Sequence, residues 1–383
     1  MATASFETVA QTRPLLSSSE EEQDLYAEEE KSEVSGCTTP PVYRRLWFVV
    51  AVCCAVIGAV VVVAAGTLIY VRSSNIHESI SSSQSCQNSS VRREWRTLST
   101  DEKLGYLDAV VCLTKTPSGI GRNQTAFEDF PWIHNKRGMS GELDLHYKSV
   151  QLITPRHFSP GTATSSTSTK QSSVAFVTIR APFFFDWQLN VHDLPTAPIW
   201  DPITGFGGDG NATGVRTVNT ASCVTDGPFA NLQVQYYADE AKPHCLSRGF
   251  QAPDDMEKYY SARVSEDAIA NLMALPQYND FNLGMENGPH LAMPHGVLGD
   301  FFSDTAPNDP VFFLHHAQID RLWWKWQHAE PGRRREYNGA SSRHSKEAAS
   351  LQDQLEMGAL APKIAVEEVI DTQSGSLCYE YAY

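Results

Sequence analysis

Four histidines crowded into one short stretch are the residues best suited to chemistry. His290, His295, His315 and His316 fall within 27 residues of a chain that has 12 histidines in 383 residues. Neutral imidazole is the commonest protein ligand of copper, zinc and iron. The alternative is that these histidines only cap helices or pack in a core. That explanation would be favoured for a single histidine but not for four so close together. The cluster therefore predicts a metal site.

The spacing of the last two histidines refines this prediction. Successive residues of a helix point about 100° apart, so only one of His315 and His316 is expected to face a shared metal ion. Asp320 follows His316 by four residues and shares its helical face, where a carboxylate can orient an imidazole ligand. A zinc or iron hydrolase or oxygenase is a rival, but the chain lacks an H-E-x-x-H pattern and an obvious carboxylate ligand.

Three apolar patterns predict the helices that must position these residues. Apolar residues recur at three- and four-residue steps over 91–113, 266–275 and 311–327. Long connections rich in Gly, Pro, Asn and Thr lie between them, and strand signals are weak. The patterns indicate a helix-centred domain with long loops.

Residues 309–323 resemble the second-copper signature of the tyrosinase family. They read Asp-Pro-Val-Phe-Phe-Leu-His-His-Ala-Gln-Ile-Asp-Arg-Leu-Trp. The likeness extends over roughly 86–340, for example in Phe-Glu-Asp-Phe-Pro-Trp-Ile-His, which ends at His134, and is similar to secreted fungal members. It implies a mainly α fold, a four-helix bundle with long loops in which two copper ions bind dioxygen. The implied activity is oxidation of phenols (as a monooxygenase) or catechols to ortho-quinones.

The resemblance also implies which residues bind the second copper ion. His316 is one ligand, and His290 and His295 are the other two. His315 is then a neighbour that does not bind the metal, and Asp320 orients a ligand.

This chain departs from the family around the first of these ligands. The family usually spaces the pair as H-x-x-x-H, whereas one more residue separates His290 from His295, with a proline between them. The family also often has Asn directly after the first histidine, where this chain has Leu291. That residue favours catechol oxidation over phenol hydroxylation. Glu286 and Asp280 are candidate bases near the entrance.

The first copper site is incomplete in the printed sequence. By position, His134 resembles the family's first ligand and His146 the second. The third belongs in a run resembling Leu-Pro-Trp-His-Arg-Tyr-Phe, but the chain has a low-complexity Ser/Thr stretch over 158–171 instead. His157 precedes this stretch, at a position not expected to bind metal.

A change of reading frame restores the missing run. Residues 157–171, back-translated with chosen synonymous codons and read two bases later, encode Leu-Leu-Pro-Trp-His-Arg-Tyr-Phe-Ile-Tyr-Ile-Tyr-Glu-Ala. We therefore predict that residues 147–180 are mistranslated, because the gene model from which the sequence was translated retains an intron or shifts the reading frame. The alternative function is a degenerate, membrane-anchored family member that lacks a complete first copper site and does not catalyse.

The N-terminal region predicts attachment to a membrane. Residues 1–43 contain nine acidic and two basic residues, too polar a composition to fold. Residues 46–71 carry no charge, and a bilayer core needs about 20 apolar residues of helix. Arg44 and Arg45 before this segment place the N-terminus in the cytosol, so the copper domain is expected in the lumen or outside the cell. The predicted segments are a disordered tail (1–45), a single transmembrane helix (46–71), a Ser-rich stalk (72–85), the copper domain (86–340) and a C-terminal tail (341–383).

Further features suit a domain beyond that membrane. Three N-glycosylation sequons follow the predicted span, at Asn88, Asn123 and Asn211. Five cysteines lie on the same side and predict disulfides with one cysteine left over: Cys86, Cys112, Cys223, Cys245 and Cys378. The formal charge is −15 and no basic block occurs, which excludes nucleic acid as a partner. The expected partners are a phenolic small molecule and dioxygen.

Overall fold

In the computed structural model the chain divides into two units, Met1–Ser81 and Ser82–Tyr383. The structure describes residues 54, 58, 86, 89–138, 183–341, 346–373 and 377–382. Only two of these residues belong to the first unit, so the helices and strands named below all lie in the second. His146 and the segment 147–180 lie outside the described residues.

Helices make up most of the regular structure in the described part of the second unit. They are α1 (Thr100–Leu113), α2 (Asp129–Gly138), α3 (Pro253–Met256), α4 (Ala262–Val264), α5 (Glu266–Met273), α6 (Tyr278–Met285), α7 (Leu291–Val297) and α8 (Phe312–Ala329). Five-residue π-helical turns join α3 to α4 (Glu257–Ser261) and α6 to α7 (Glu286–His290). The helices predicted over 266–275 and 311–327 are confirmed, with ends that differ by a few residues.

The helix predicted over 91–113 begins later than its apolar pattern indicates. Ser99 and Glu102 form a capping box that starts α1 at Thr100. Residues before the cap form a strand, β1 (Ser90–Glu94), which pairs in parallel with β2 (Phe183–Phe184) and with β9 (Tyr379–Tyr381). Both partners are distant in sequence, and a local pattern contains no information about them.

The other strands are short and form three antiparallel pairs. The strands are β3 (Ser222–Cys223), β4 (Gln233–Tyr237), β5 (Glu240–Cys245), β6 (Ser247–Arg248), β7 (Gln354–Leu355) and β8 (Ile364–Ala365). β3 pairs with β6, β4 with β5, and β7 with β8. Residues assigned to a C-terminal tail thus contribute β7, β8 and β9 to the second unit.

The predicted disulfides are present. Cys86 is bonded to Cys378, and Cys223 to Cys245. Cys112 is free and exposed, which accounts for the odd count. The first disulfide lies beside the pairing of β1 with β9, so it joins the two ends of the unit a second time.

Helix α8 runs through the core and is buried along almost its whole length. Asp320, at 3 % exposure, accepts hydrogen bonds from Arg92 Nη1 at 3.2 Å, from Tyr379 Oη at 2.7 Å and from Tyr381 Oη. These contacts attach β1 and β9 to the middle of α8.

The predicted transmembrane helix over 46–71 must be corrected. Among the described residues, no helix combines the length and apolar character needed to cross a bilayer. The longest, α8, has 18 residues and carries Asp320, Arg321 and Lys325, whereas a span needs about 20 apolar residues. Of the predicted segment, only Cys54 and Gly58 are described. The membrane contact, the single-pass topology and the lumenal or extracellular placement are withdrawn with that helix.

The pairing of Arg92 with Asp320 predicts a large stability effect. Arg92→Met leaves a buried carboxylate without its cation, and we expect the free energy of unfolding to fall by about 3 kcal/mol. The matched control is Arg93→Met, because Arg93 pairs with Glu102 at the surface. This substitution should lower the free energy of unfolding by less than about 1 kcal/mol. Urea unfolding of both variants measures the difference. Equal losses in the free energy of unfolding would show that the buried ion pair contributes no more to stability than the surface ion pair.

Candidate metal centre

Three histidines meet in the lining of a cavity. The candidate ligand nitrogens of His290, His315 and His316 all lie within 4.8 Å of one another. The π-helical turn before α7 supplies His290, and α8 supplies the other two. His315 and His316 are fully buried at 0 % and 2 % exposure, and the His290 side chain is 18 % exposed. Such a group can hold one ion of a metal that prefers imidazole.

Both adjacent histidines of α8 take part, although one was expected to point elsewhere. The two rings are nearly perpendicular, with centroids 5.2 Å apart. The His290 ring lies 5.8 Å from the ring of His315 and 5.1 Å from that of His316. His290, which lies outside α8, therefore contacts the rings of both His315 and His316, although those two side chains point in different directions.

The state of His315 fits a metal ligand. Burial lowers the pKa of His315 well below its usual value, and nearby His290 lowers it further, so the imidazole is neutral. Its Nε2 donates to the His290 carbonyl oxygen at 3.2 Å, and its buried Nδ1 has no hydrogen-bond partner. A buried polar atom without a partner is costly, and a metal ion would use the Nδ1 lone pair.

His134 lines the same cavity from α2. Its Nδ1 donates to the Asp304 carbonyl oxygen at 2.6 Å, and its ring packs edge-on against Phe312. Burial lowers the pKa of His134 to about 4, so this imidazole is also neutral. With Nδ1 donating, Nε2 keeps its lone pair, as in most metal-bound histidines. His146, its predicted companion, lies outside the described residues.

His295 lies outside the three-histidine group. Its Nδ1 donates to the Leu291 carbonyl oxygen at 2.7 Å, and its ring lies between Tyr259 and Phe302. Helix geometry explains the separation from His290. Five residues of α-helix turn the chain by about 500°, so the two side chains point roughly 140° apart, against roughly 40° for a four-residue spacing. His295 nevertheless resembles His134 in that its Nδ1 donates to a backbone carbonyl oxygen.

Asp320 has other partners than the predicted metal ligand. Its hydrogen bonds go to Arg92, Tyr379 and Tyr381, on the strands that flank α8. The structure therefore gives this carboxylate a role in holding the helix that carries the histidines.

Sequence reasoning missed the residue that secures the start of α8. Arg248 is fully buried and donates from Nε and Nη2 to the carboxylate of Asp309, at 2.7 and 3.0 Å. Asp309 also accepts from Val311 N at 3.0 Å, just before the helix begins. A two-point contact of this kind fixes geometry as well as charge. Asp309 opens the recognised signature, but nothing in the sequence links it to Arg248.

The cavity is large enough for a small organic molecule. Its volume is about 740 Å³. Its aromatic lining residues are Tyr237, Phe301, Phe302 and Phe312. Glu286 also lines it and lies 3.1 Å from His290, measured from Oε2 to Nδ1.

A buried carboxylate holds one wall of the cavity in place. Asp300 accepts hydrogen bonds from His244 Nε2, from Ser247 and from Asn308, each at 2.9 Å. These contacts secure the hairpin of β4 and β5, whose end brings Tyr237 to the cavity.

Known proteins are similar to this chain in sequence and in fold. The family profile described as the common central domain of tyrosinase matches residues 170–329. The chain is 38 % identical to the tyrosinase-like protein phomQ1 of Diaporthe leptostromiformis, over 78 % of this chain and 79 % of the relative. It is 36 % identical to tyrosinase ustQ of Aspergillus flavus, over 77 % and 80 %. A polyphenol oxidase variant from Thermothelomyces thermophila has the same fold, with a TM-score of 0.59 at 24 % identity, covering 76 % and 88 %.

The three-histidine group predicts copper binding. His290→Ala and His316→Ala should each lower the copper bound per chain, because each removes an imidazole from the group. The control is His328→Ala, on the same helix but bonded to the Trp324 carbonyl oxygen. Metal analysis after dialysis against copper measures the loss. Unchanged copper in the first two variants would contradict the assignment.

A second pair of variants decides the third position in this site. His295→Ala tests the set expected from the family, and His315→Ala tests the group observed in the structure. The substitution that lowers bound copper identifies the ligand.

The ion pair of His244 and Asp300 predicts that stability falls with rising pH. Burial alone would lower the pKa of His244, but the hydrogen bond and charge of Asp300 raise it above its usual value. The folded state then binds the proton more tightly, so this stabilisation is complete below about pH 6.5 and is lost as pH rises through the raised pKa. Unfolding measured from pH 5.5 to 8.5 should show this slope, and His244→Gln should flatten it. The control is His192→Gln, which removes an exposed histidine in place of a buried one, and an equal flattening by both variants would contradict the assignment to His244.

Proposed function

The chain belongs to the tyrosinase family. We propose that the protein, with its first copper site completed as described below, oxidises catechols to ortho-quinones with dioxygen at the cavity formed around His290, His315 and His316. Membership of the family makes it an oxidoreductase of the tyrosinase type, a class of copper oxidases. The single observation that supports the proposal best is the convergence of the three imidazoles of His290, His315 and His316 in a cavity lined by aromatic side chains.

The donor set suits copper. Neutral imidazoles bind both oxidation states of copper without adding charge. His290 and His316 would hold one ion, with His315 in third place by the structure and His295 by the family's pattern. The family implies two ions, and His134 with His146 would contribute to the other site. Bound copper supplies the electron transfer to dioxygen that these side chains cannot perform themselves.

The reaction balances without a further reductant. Two catechols each lose two electrons and two protons, and one dioxygen takes up the four electrons and four protons to become two waters. Glu286 lines the cavity beside His290. We assign its carboxylate the role of accepting a proton from a substrate hydroxyl, a task within reach of a positioned carboxylate.

Leu291 supports oxidation of catechols over hydroxylation of phenols. It lines the cavity directly after His290. Its hydrocarbon side chain has no polar atom with which to hold a water molecule or a phenol hydroxyl. A catechol loses its protons more readily, so it depends less on such help.

The proposal includes a corrected sequence for the first copper site. Residues 147–180 are proposed to come from a retained intron or a frameshift, and the restored frame contains a Leu-Pro-Trp-His run. The family profile match leaves out residues 147–169 of this segment and includes residues 170–180.

The corrected protein should be the active form. We expect the chain with the restored run to bind two copper ions and to consume dioxygen with catechol, and the printed chain to bind less copper and react at background rate. Oxygen-electrode measurements on both proteins, with copper analysis, provide the test. His316→Ala in the restored chain is the inactive control.

Two results would count against these proposals. A spliced transcript that encodes the Ser/Thr stretch unchanged would refute the frame correction. A restored chain that holds two copper ions but leaves catechol unoxidised would refute the proposed activity and favour a non-catalytic family member.

A further inference from the structure

We propose that the cavity selects its phenolic substrate by charge, favouring compounds with a cationic or neutral substituent over carboxylates. This inference rests on the proposed function and names the substrate class of the same site. Its basis is the charge and the exposed apolar surface of the residues that line the cavity.

The histidine end of the cavity is where the reacting hydroxyl must lie. His315 is completely buried there, and its Nδ1 has no hydrogen-bond partner. A buried nitrogen of this kind marks the end of the cavity built for a ligand. A phenol whose hydroxyl approaches the histidines leaves its opposite substituent toward the solvent.

The cavity lining also has an exposed part that is apolar and acidic. Leu283 and Phe302 line it and remain 47 % and 38 % exposed, unusual for side chains of this kind. The exposed side chain of Asp304 lies on the same lining, two residues after Phe302. Phe302 is held in place by the ring of His295, whose centroid is 4.7 Å away.

No positive side chain balances this acid among the lining residues that the structure describes. Asp304 and Glu286 are their charged members, and neither Lys nor Arg occurs there. The chain as a whole carries a formal charge of −15, so its general field also repels anions. An ammonium group at the mouth would be attracted to Asp304, and a carboxylate would be repelled.

A series of three phenols of matched size tests the inference. The probes are 4-hydroxyphenethylamine, 4-ethylphenol and 3-(4-hydroxyphenyl)propanoate, titrated into the full-length chain by calorimetry at pH 7. We expect the amine to bind most tightly and the acid least. Asp304→Asn should shrink the ratio of their dissociation constants about three- to tenfold, as one partly screened charge at the mouth implies. Higher salt should shrink it as well.

The control variant removes an acid that does not line the cavity. Asp108 is exposed on α1, and Asp108→Asn should leave the ratio unchanged. Equal binding of the three probes, or an equal effect of both variants, overturns the charge selection alone. If none of the probes binds, the cavity is not a phenol site, and the proposed function fails together with this inference.

Discussion

The rest of the structure depends on burying α8 with its charged groups paired. An unpaired buried charge costs several kcal/mol, so a helix with an acid and a base in its middle is stable in a core only when partners reach it. Asp320 is paired with Arg92, and Arg321 with Asp186 at 3.2 Å. The histidines lie one turn before these pairs on the same helix. The contacts that allow α8 to be buried therefore also fix the position of the metal centre.

These pairs also explain why the two ends of the domain meet. Arg92 lies on β1, and Tyr381, on β9, donates to the same carboxylate. The disulfide of Cys86 and Cys378 closes a separation of 292 residues at this point. A crosslink over so long a loop lowers the conformational entropy of the unfolded chain and so favours the folded state. The start of α8 is secured separately by Arg248, so the helix is held at both its beginning and its middle.

The cavity is lined by buried histidines and by an exposed group of apolar and acidic residues, and we assign different roles to the two. Burial keeps the imidazoles of His134 and His315 neutral, which leaves lone pairs available for a metal. In the exposed part of the lining, Phe302 and Asp304 meet solvent and would contact the part of a substrate that does not react. Metal binding and substrate choice are therefore carried by different residues of one cavity, and substitutions can separate them.

The sequence by itself determined the features that depend on residue type and local spacing. The copper-type signature and the helix through 312–329 follow from patterns within short segments. The cysteine count predicted disulfides, but only the structure showed that Cys86 pairs with Cys378 and Cys223 with Cys245. Tertiary structure decided which groups meet, because partners far apart in sequence leave no local trace. It placed His315 beside His290, turned 90–94 into a strand, and gave Asp320 and Asp309 their arginines. The membrane helix over 46–71 was predicted from the length and apolar character of that segment, whereas no helix among the described residues could cross a bilayer.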